Sequence, residues 1–268
     1  MDLSVVTPLL EAIHAARPSL TVISGDFVQN GWRSEFEQAR AFVQRLPQPW
    51  LAVPGNHDLP FVNAFRRIIT GLRLYQEYIT TDLEPFWTDN EIAVMGITTA
   101  RRLQFRGGRI APEQIRRVQR RLCSVDPRLT RVLVSHHPFD LHESYHRREL
   151  VGRARLAMGQ FAQSVDILLA GHMHISHAGH TAVRYKLQGR SAIFVQAGTA
   201  TSTRGRGEPN AFNRIVIAHP NLVVERHQYR DGAFHCVCLD RVLLERPGVC
   251  ETRPEPMHPK DVQVRYPQ

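Results

Sequence analysis

The chain contains 268 residues, of which 43% are hydrophobic and 22% are charged. This composition is typical of a soluble globular protein, and the length suits one large α/β domain rather than a disordered or fibrous chain. The formal net charge of +9 comes almost entirely from arginine, which favours anionic ligands. The arginines are scattered and form no basic stripe interleaved with aromatic residues, so we do not expect a dedicated nucleic-acid surface.

Two absences in the sequence bear on where the protein resides. No apolar run approaches the ~20 residues that span a bilayer, and the first residues lack the basic segment and apolar core of a secretory signal. We therefore expect no membrane span and a cytoplasmic location. The four cysteines are expected to be reduced thiols, since the Cys236-x-Cys238 pair has no second Cys/His pair nearby to complete a zinc site.

Predicted helices and strands alternate through the first part of the chain. Hydrophobic periodicity predicts a helix, a strand, a second helix and a second strand, at Val5–Ala16, Leu20–Ser24, Glu35–Leu46 and Trp50–Val53. Ser4 is the expected N-cap of the first helix. The alternation predicts helices packed on a sheet.

The middle of the chain continues this pattern, and the last part is rich in strands. We expect mostly helical structure over Pro60–Thr81 and helices at Pro112–Cys123 and Glu149–Gln163. Strands are expected at Phe86–Asp89, Ile92–Ile97, Val132–Val134 and Ile167–Ala170. Further strands are expected at Ala182–Leu187, Ala192–Ala197, Arg214–Ala218, Leu222–Tyr229 and Phe234–Leu239. The expected organisation is one domain over residues 1–246 and a Pro-rich, loose tail over residues 247–268.

Four short segments carry potential metal ligands, and each directly follows one of the apolar strands. They are Gly25-Asp26, Gly55-Asn56-His57-Asp58, Ser135-His136-His137-Pro138 and Gly171-His172-Met173-His174. Because α/β sheets gather residues from the carboxyl ends of their strands, these side chains are expected to form one site. A carboxylate, a neutral amide and three imidazoles suit a first-row divalent or trivalent metal with an open position.

The order and content of these four motifs resemble the calcineurin-like metallophosphoesterases, specifically the bacterial class III cyclic-nucleotide phosphodiesterase branch. The resemblance covers residues 5 to 240, and the end of it carries further similar residues at Ala197–Thr201, Arg204, Gly205, Glu208, Asn210 and Asn213. It implies an α/β fold, a four-layer α-β-β-α sandwich of two mixed sheets. It also implies a phosphodiesterase that acts on small phosphodiesters, with cyclic nucleotides among the candidate substrates.

The resemblance assigns the metal ligands residue by residue. Asp26 would bridge two metals through its carboxylate, and His174 would bind the first metal. The second metal would also be bound by Asn56, through its amide oxygen, and by His136 and His172. The implied cofactor is a divalent or mixed-valence pair of manganese, iron or zinc, since imidazole suits these borderline metals better than magnesium.

The implied reaction is hydrolysis of a small phosphoester by a metal-bound hydroxide that attacks phosphorus. His57 would stay unligated, where it would contact phosphate or protonate the leaving oxygen. Asn56, Thr199 and His177 are the other candidates for substrate contact. A nuclease-type phosphodiesterase is the enzymatic alternative, which the basic charge would favour. The oligomeric state is open, and a dimer is one option.

One motif of the family is missing in front of Gly25-Asp26. The resemblance implies an Asp-x-His on an earlier strand, which would supply two ligands of the first metal. Asp2-Leu3-Ser4 imitates this motif with serine in place of histidine, but a strand and a crossover helix do not both fit before Asp26. The second metal's ligand set is therefore complete, whereas the first metal's set is reduced to Asp26 and His174.

Three explanations for this gap stay open. The missing strand is encoded upstream of Met1, and residues 1–246 are an N-terminally incomplete domain. Alternatively, the chain is a genuine short form that works weakly or with only one metal bound. In the third case it is a catalytically weak or inactive homologue that acts as a binding protein. Loss of a central strand would expose ladder groups and core surface, which speaks against a stable and fully active short form.

Several neighbouring residues have simpler interpretations. His142-Glu143-Ser144-Tyr145-His146 matches the H-E-x-x-H pattern of zinc proteases, but it has little apolar flank, so chance or a substrate-facing loop is preferred. Asp58 is expected to orient the site rather than bind metal. His137 is expected to pack or give support, because strand alternation points it the other way. Asn210 and Asn213 either order a loop near the site or cap turns.

Overall fold

A computed structural model describes residues 2–61, 63–142, 145–181, 192–202 and 207–244. The helices are α1 Leu3–Ala16, α2 Arg33–Val43, α3 Ala64–Thr70, α4 Arg73–Tyr78, α5 Pro112–Cys123 and α6 Ala154–Phe161. The strands are β1 Thr21–Ile23, β2 Trp50–Ala52, β3 Phe86–Thr88, β4 Ile92–Gly96, β5 Thr130–Ser135, β6 Ile167–Ala170, β7 His177–His180, β8 Ile193–Gln196, β9 Ala211–Ala218, β10 Asn221–Arg230 and β11 Ala233–Leu243.

The largest sheet is mixed and has six strands in the order β3-β4-β5-β6-β8-β7. Strands β4, β5, β6 and β8 are parallel, and the outer strands β3 and β7 are antiparallel to their neighbours. Every residue of β5 is buried, because both faces of the sheet are covered. Leu133 faces the core under α5 and α6, whereas Val132 and Val134 face the second strand layer.

The second strand layer consists of two separate pieces. Strands β1 and β2 form a parallel pair, and β9, β10 and β11 form an antiparallel sheet. Side chains from both pieces, such as Leu51 of β2 and Leu222 of β10, pack with Val132 of β5 in one inner core. Helices α1 and α2 cover the β1–β2 pair through contacts that include Leu10 and Phe42. The predicted mixed α/β fold with four α-β-β-α layers is confirmed, with its second sheet divided.

Three local predictions need correction. Helix α1 begins at Leu3, and its N-cap is Asp2, whose carboxylate accepts the N–H of Ser4 at 3.0 Å. Ser4 is therefore not the cap. Strand β7 was not predicted from the sequence. Cys123 is disulfide-bonded, so the expectation of reduced thiols is wrong for that residue, although Cys236 and Cys238 are free.

Parts of the sequence-based prediction lie outside the described residues. These include the expected strand Ala182–Leu187, the residues Arg204 and Gly205 of the resemblance, and the expected tail over residues 247–268. The boundary between a domain over residues 1–246 and that tail therefore stays a prediction. Within the described ranges, no helix has the length and apolar character needed to cross a bilayer.

Candidate metal centre

The loops that follow β1, β2, β5 and β6 bring the four ligand-bearing segments together. The first two loops approach so closely that glycine is required. Gly25 has φ +93°, and a Cβ atom there would lie 2.7 Å from the backbone nitrogen of Gly55 and 2.7 Å from Nδ1 of His136. Only a residue without a side chain permits this combination of backbone conformation and contact. The glycine of the Gly25-Asp26 segment therefore lets the β1 loop reach the other ligands.

Four potential ligand atoms converge on one point. His136 donates its Nδ1–H to the carbonyl of Ser24 at 2.7 Å, which leaves the lone pair of Nε2 facing inward. That Nε2 lies 3.3 Å from Oδ2 of Asp26, 3.2 Å from Oδ1 of Asn56 and 3.3 Å from Nδ1 of His172. The Asn56 oxygen also lies 3.1 Å from Nδ1 of His172.

These distances suit a single bound metal ion. Ligand atoms about 2.1 Å from one first-row metal lie roughly 3.0–3.4 Å from each other. Asn56 and His136 are 2% and 1% exposed, and burying electron-rich atoms this close together is unfavourable unless a cation lies among them. One carboxylate, one amide and two imidazoles are the donor types expected for manganese, iron or zinc. The residues present therefore fit one metal of this class.

The pKa shifts of Asp26 and His136 also indicate that the cluster favours a bound positive charge. Burial lowers the pKa of His136, but the Asp26 carboxylate outweighs burial, so the net pKa of His136 is raised. Burial would raise the pKa of Asp26, yet the adjacent His136 and its hydrogen bond bring that pKa well below its ordinary value. In the metal-free protein a second proton, on Nε2 of His136, would satisfy the Asp26 carboxylate, and a bound metal would displace that proton and take its place.

Asp58 lies behind this cluster and binds backbone rather than ligand atoms. Its two oxygens accept the N–H groups of Gly55 at 2.8 Å, Asp26 at 3.1 Å and Val28 at 3.2 Å. Burial, followed by the charge of Asp26, raises the pKa of Asp58 to about 7. These contacts match the expected orienting position, because they hold the β1 and β2 loops against each other.

His57 lies beside the cluster without joining it. Its backbone N–H donates to Oδ1 of Asp26 at 3.0 Å, and its Nδ1 lies 2.7 Å from the carbonyl of Gln29. The ring stacks on Phe61 with the centroids 4.8 Å apart. Because Nδ1 must carry the proton to bind the Gln29 carbonyl, the second ring nitrogen, Nε2, is the one that can exchange a proton.

His137 is close to the cluster but is already hydrogen-bonded at both ring nitrogens. Nδ1 lies 2.8 Å from the hydroxyl of Thr99, and Nε2 lies 3.2 Å from the carbonyl of Arg106. Burial brings the pKa of His137 well below its usual range. Although its ligand atoms come within 4.8 Å of those of His136 and His172, a neutral imidazole in this position has no remaining lone pair for a metal.

The other predicted residues occupy different places. His174 lies in the wall of the same cavity as Asp26, where its Nδ1 hydrogen bonds with the hydroxyl of Thr199, and it is not part of the four-atom cluster. His177 lies on β7, and its ring contacts that of His142 with the centroids 5.1 Å apart. The structure therefore does not bring His177 to the cluster.

Asn210 and Asn213, near the start of β9, each donate a hydrogen bond to a backbone carbonyl of the segment 196–202. Asn210 donates its Nδ2–H to the carbonyl of Ser202 at 3.0 Å, and Asn213 donates to the carbonyl of Gln196 at 3.1 Å. Of the two open interpretations, the geometry favours the one in which these asparagines order the loop. The H-E-x-x-H pattern at residues 142–146 includes Glu143, which lies outside the described residues.

A cavity of about 630 Å³ adjoins the cluster and extends between β1 and β9. The metal-site end is lined by Asp26, His136, His172 and His174, and the far end by Asp89 and Glu91. Most of the wall between them is apolar and comes from α1, β1, β9 and the six-stranded sheet: Leu9, Val22, Ile215, Val132, Leu169 and Val195. A long apolar cavity inside a strand layer is unusual, because protein interiors are normally close-packed.

Comparison with known proteins identifies the class to which this fold and site belong. The family described as calcineurin-like phosphoesterase matches residues 3–176, and the chain therefore belongs to the calcineurin-like phosphoesterase family. A relative from Arcobacter nitrofigilis, "Probable glycerophosphodiester phosphodiesterase GpdQ", is 25% identical over 167 residues. That match covers 59% of this chain and 57% of the relative, so the chain spans little more than half of the relative's length.

The solved structures that match this chain include a vacuolar sorting protein and a hydrolase. Vacuolar protein sorting 29 from Cryptosporidium parvum has a TM-score of 0.43 and 14% identity, and the match covers 88% of each chain. Phosphopantetheinyl hydrolase from Mycobacterium tuberculosis has a TM-score of 0.42 and 14% identity, and the match covers 67% of this chain and 79% of that one.

Proposed function

We propose that this chain is a metal-dependent phosphoric ester hydrolase, most specifically a phosphodiesterase that acts on small phosphodiesters. The observation that carries this proposal is the convergence of four lone-pair atoms: those of Asp26, Asn56 and His172 all lie within 3.3 Å of Nε2 of His136. Membership of the calcineurin-like phosphoesterase family supports the same reaction class. The glycerophosphodiester named for the relative and the cyclic nucleotides of the resembling branch are both small phosphodiesters.

In such a hydrolysis, different residues of this chain would bind the metal and donate the proton. Asp26, Asn56, His136 and His172 would hold a manganese, iron or zinc ion, which polarises phosphoryl oxygens and lowers the pKa of water. The Ser24 carbonyl holds a proton on Nδ1 of His136, so that Nε2 is the nitrogen that points inward and would bind the metal. His57, fixed by Gln29 and stacked on Phe61, would donate a proton from Nε2 to the leaving oxygen.

We also propose that the domain is N-terminally incomplete and that an extended segment outside the given sequence fills the cavity. Strand β1 is paired on one edge only within the described residues, and so is β9. Thr21 donates its N–H to Pro49, and the carbonyl of Ile23 accepts from Val53, so both residues use the β2 side. Because successive peptide groups alternate in direction, those of Val22 point into the cavity.

The position of α1 supports the same proposal. The N–H of Asp2 donates to the carbonyl of Thr201 at 2.6 Å, so α1 begins at the metal-site end of the cavity. A segment before Asp2 that ran parallel to β1 would reach this end and continue into α1, as a right-handed β-α-β connection requires. Such a strand would also bring its last residues to Asp26 and His174, the reduced ligand set of a first metal.

Metal content and hydrolysis test the proposed function together. We expect the purified 268-residue chain, loaded with Mn²⁺ and freed of excess metal, to hydrolyse bis(p-nitrophenyl) phosphate. Substitution of His136 by alanine should remove both the bound metal and the hydrolysis. A wild-type chain that retains no metal by elemental analysis would contradict the catalytic proposal and favour a binding protein.

Extension of the chain tests its completeness separately. A polypeptide with upstream residues that include an apolar strand ending in Asp-x-His should bind two metals per chain and unfold at a higher temperature. An extended form with unchanged metal content and unchanged unfolding temperature would contradict the incomplete-domain proposal without affecting the first one.

The finer parts of the proposal concern substrate and cellular context. Parallel assays with a cyclic nucleotide, a glycerophosphodiester and single-stranded DNA compare the small-phosphodiester proposal with the nuclease alternative, which predicts preference for the polymer. We propose a cytoplasmic location from the sequence, although the disulfide at Cys123 is more common in oxidising compartments. Sedimentation would show whether the protein is a monomer or a dimer.

A further inference from the structure

Arg67, on α3, is a fully buried cation whose recorded hydrogen-bond partners are all backbone carbonyls. Its side chain has 0% exposure, and burial lowers the pKa of its guanidinium group. Burying a guanidinium group costs free energy unless its N–H groups are hydrogen-bonded. The seven-residue helix α3 does not need a buried arginine in order to form. The contacts of the Arg67 side chain therefore indicate its structural role.

The guanidinium group joins two loops that meet at the metal centre. On one side, Nη1 donates to the carbonyl of Asn56 at 3.1 Å. On the other side, Nη2 donates to the carbonyl of Gln104 at 2.7 Å and Nε to that of Arg102 at 3.1 Å. The group also lies over the ring of Phe105, 4.7 Å from the centroid. Arg67 therefore holds the loop after β2 and the 101–105 segment at a fixed separation.

This separation decides how the Asn56 amide is oriented. Its Nδ2–H donates to the carbonyl of Phe105 at 3.1 Å, which leaves Oδ1 facing His136 and His172. An asparagine amide presents an acceptor on one side and two donors on the other. If the Phe105 carbonyl moved away, the amide could turn its N–H groups toward the ligand atoms, where they cannot bind a metal.

We propose that Arg67 is a positioning residue that fixes Asn56 as a metal ligand by clamping the 101–105 segment against the loop after β2. The proposal rests on the proposed function only in taking Asn56 as a ligand. Arg67 would thus be a determinant of metal affinity whose own contacts are with backbone carbonyls and the Phe105 ring.

The test is the affinity for Mn²⁺ alone, measured by titration without substrate. Arg67→Lys keeps the charge but cannot span both loops, because an ammonium group lacks the planar fork of guanidinium. We expect its Mn²⁺ affinity to fall about 10–100-fold, as is typical when a residue supporting a metal ligand is lost. Arg131→Lys is the matched control: Arg131 is a buried arginine paired with Asp166, and the same substitution there should leave Mn²⁺ affinity within about twofold.

Repeating the Arg67→Lys substitution in an Asn56→Asp variant distinguishes a specific effect on the Asn56 amide from a general loss of structure. Asn56→Asp replaces the amide with a carboxylate, whose two oxygens are equivalent, so its orientation no longer matters. In the N56D background, R67K should weaken Mn²⁺ binding less than about threefold. An equal loss in both backgrounds, or no loss in either, would overturn the proposal.

If R67K does not fold by circular dichroism, Phe105→Ala tests the same clamp at a side chain that is 39% exposed. It should weaken Mn²⁺ binding by about threefold or more with the fold intact, and unchanged affinity would overturn the proposal. A wild-type chain that binds no Mn²⁺ would instead refute the proposed function, so the two failures are distinguishable.

Discussion

The two halves of the ligand cluster differ in how completely the protein surrounds them. On the β2 and β5 side, Asn56 and His136 are buried, and each has a fixed hydrogen-bond partner in Phe105 or Ser24. On the β1 side, every residue of the strand is only partly buried, and the 630 Å³ cavity lies along its free edge. Preorganised ligands are held by surrounding contacts, so the enclosed half presents fixed ligands that Asp26 of the β1 side would complete. The β1 half has no neighbouring strand on its free edge within the described residues.

The largest expected effect is loss of a ligand from the enclosed half. His136→Ala should weaken Mn²⁺ binding by more than ~100-fold, beyond the 10–100-fold typical of an outer partner. His174→Ala, in the cavity wall outside the four-atom cluster, should weaken Mn²⁺ binding at the cluster by less than ~10-fold, because the hydrogen bond of His174 is to Thr199. Titration calorimetry of both variants compares the halves directly, and equal losses would remove the distinction.

His57 should affect turnover without affecting the metal. His57→Ala is expected to lower kcat about 10²–10⁴-fold, the usual contribution of a general acid, while metal content stays at the wild-type level. Its ring is held by Gln29 and Phe61 rather than by the cluster. Unchanged hydrolysis of a chromogenic phosphodiester would rule out the proposed role, and loss of the metal would show that His57 is a ligand or a support of one.

The close approach of the β1 and β2 loops should be sensitive to a single methyl group. Gly25→Ala should destabilise the metal-free protein by about 2–4 kcal/mol, since it combines a positive φ with contacts at 2.7 Å. Gly159→Ala is the control, because a Cβ atom there meets nothing within 4 Å on α6. The control should be neutral or stabilising by up to about 1 kcal/mol. Denaturant unfolding of the two variants measures the difference, and equal stabilities would contradict the close approach.

Much of the enclosed half could be predicted from the sequence. The ligand motifs follow apolar strands, and the expected positions of β6 and α5 agree with the structure at both ends. The clamp by Arg67 could not be predicted, because it depends on the conformation of the 101–105 loop, which has no periodic pattern. The Asp2 cap was missed because Asp and Ser are equally good caps and both stand before the same helix.

The position of His174 could be predicted only in part. The family resemblance implied that it binds a first metal, and the structure places it in the wall of the cavity that Asp26 also lines, hydrogen-bonded to Thr199. A ligand pattern specifies which residues can meet, whereas the distances between them depend on how the loops pack, and here His174 lies in the wall of the cavity beside β1.

The smallest expected effect concerns the free edge of β1. The N–H of Val22 points into the cavity, whereas that of Thr21 donates to Pro49 at 3.1 Å. We expect the Val22 amide to exchange with deuterium at least ~10-fold faster than the Thr21 amide, because a hydrogen-bonded amide must open before it exchanges. Hydrogen exchange followed by NMR resolves the two, and strong protection of Val22 would mean that this edge is already paired.

The number of metal ions bound per chain tests the central claim most directly. One complete ligand set and half of another predict one tightly bound Mn²⁺ per 268-residue chain, measured by calorimetric titration and confirmed by elemental analysis after gel filtration. A ratio near one would support the account. A ratio near zero would contradict the enclosed site, and a ratio near two would contradict the incompleteness of the β1 side.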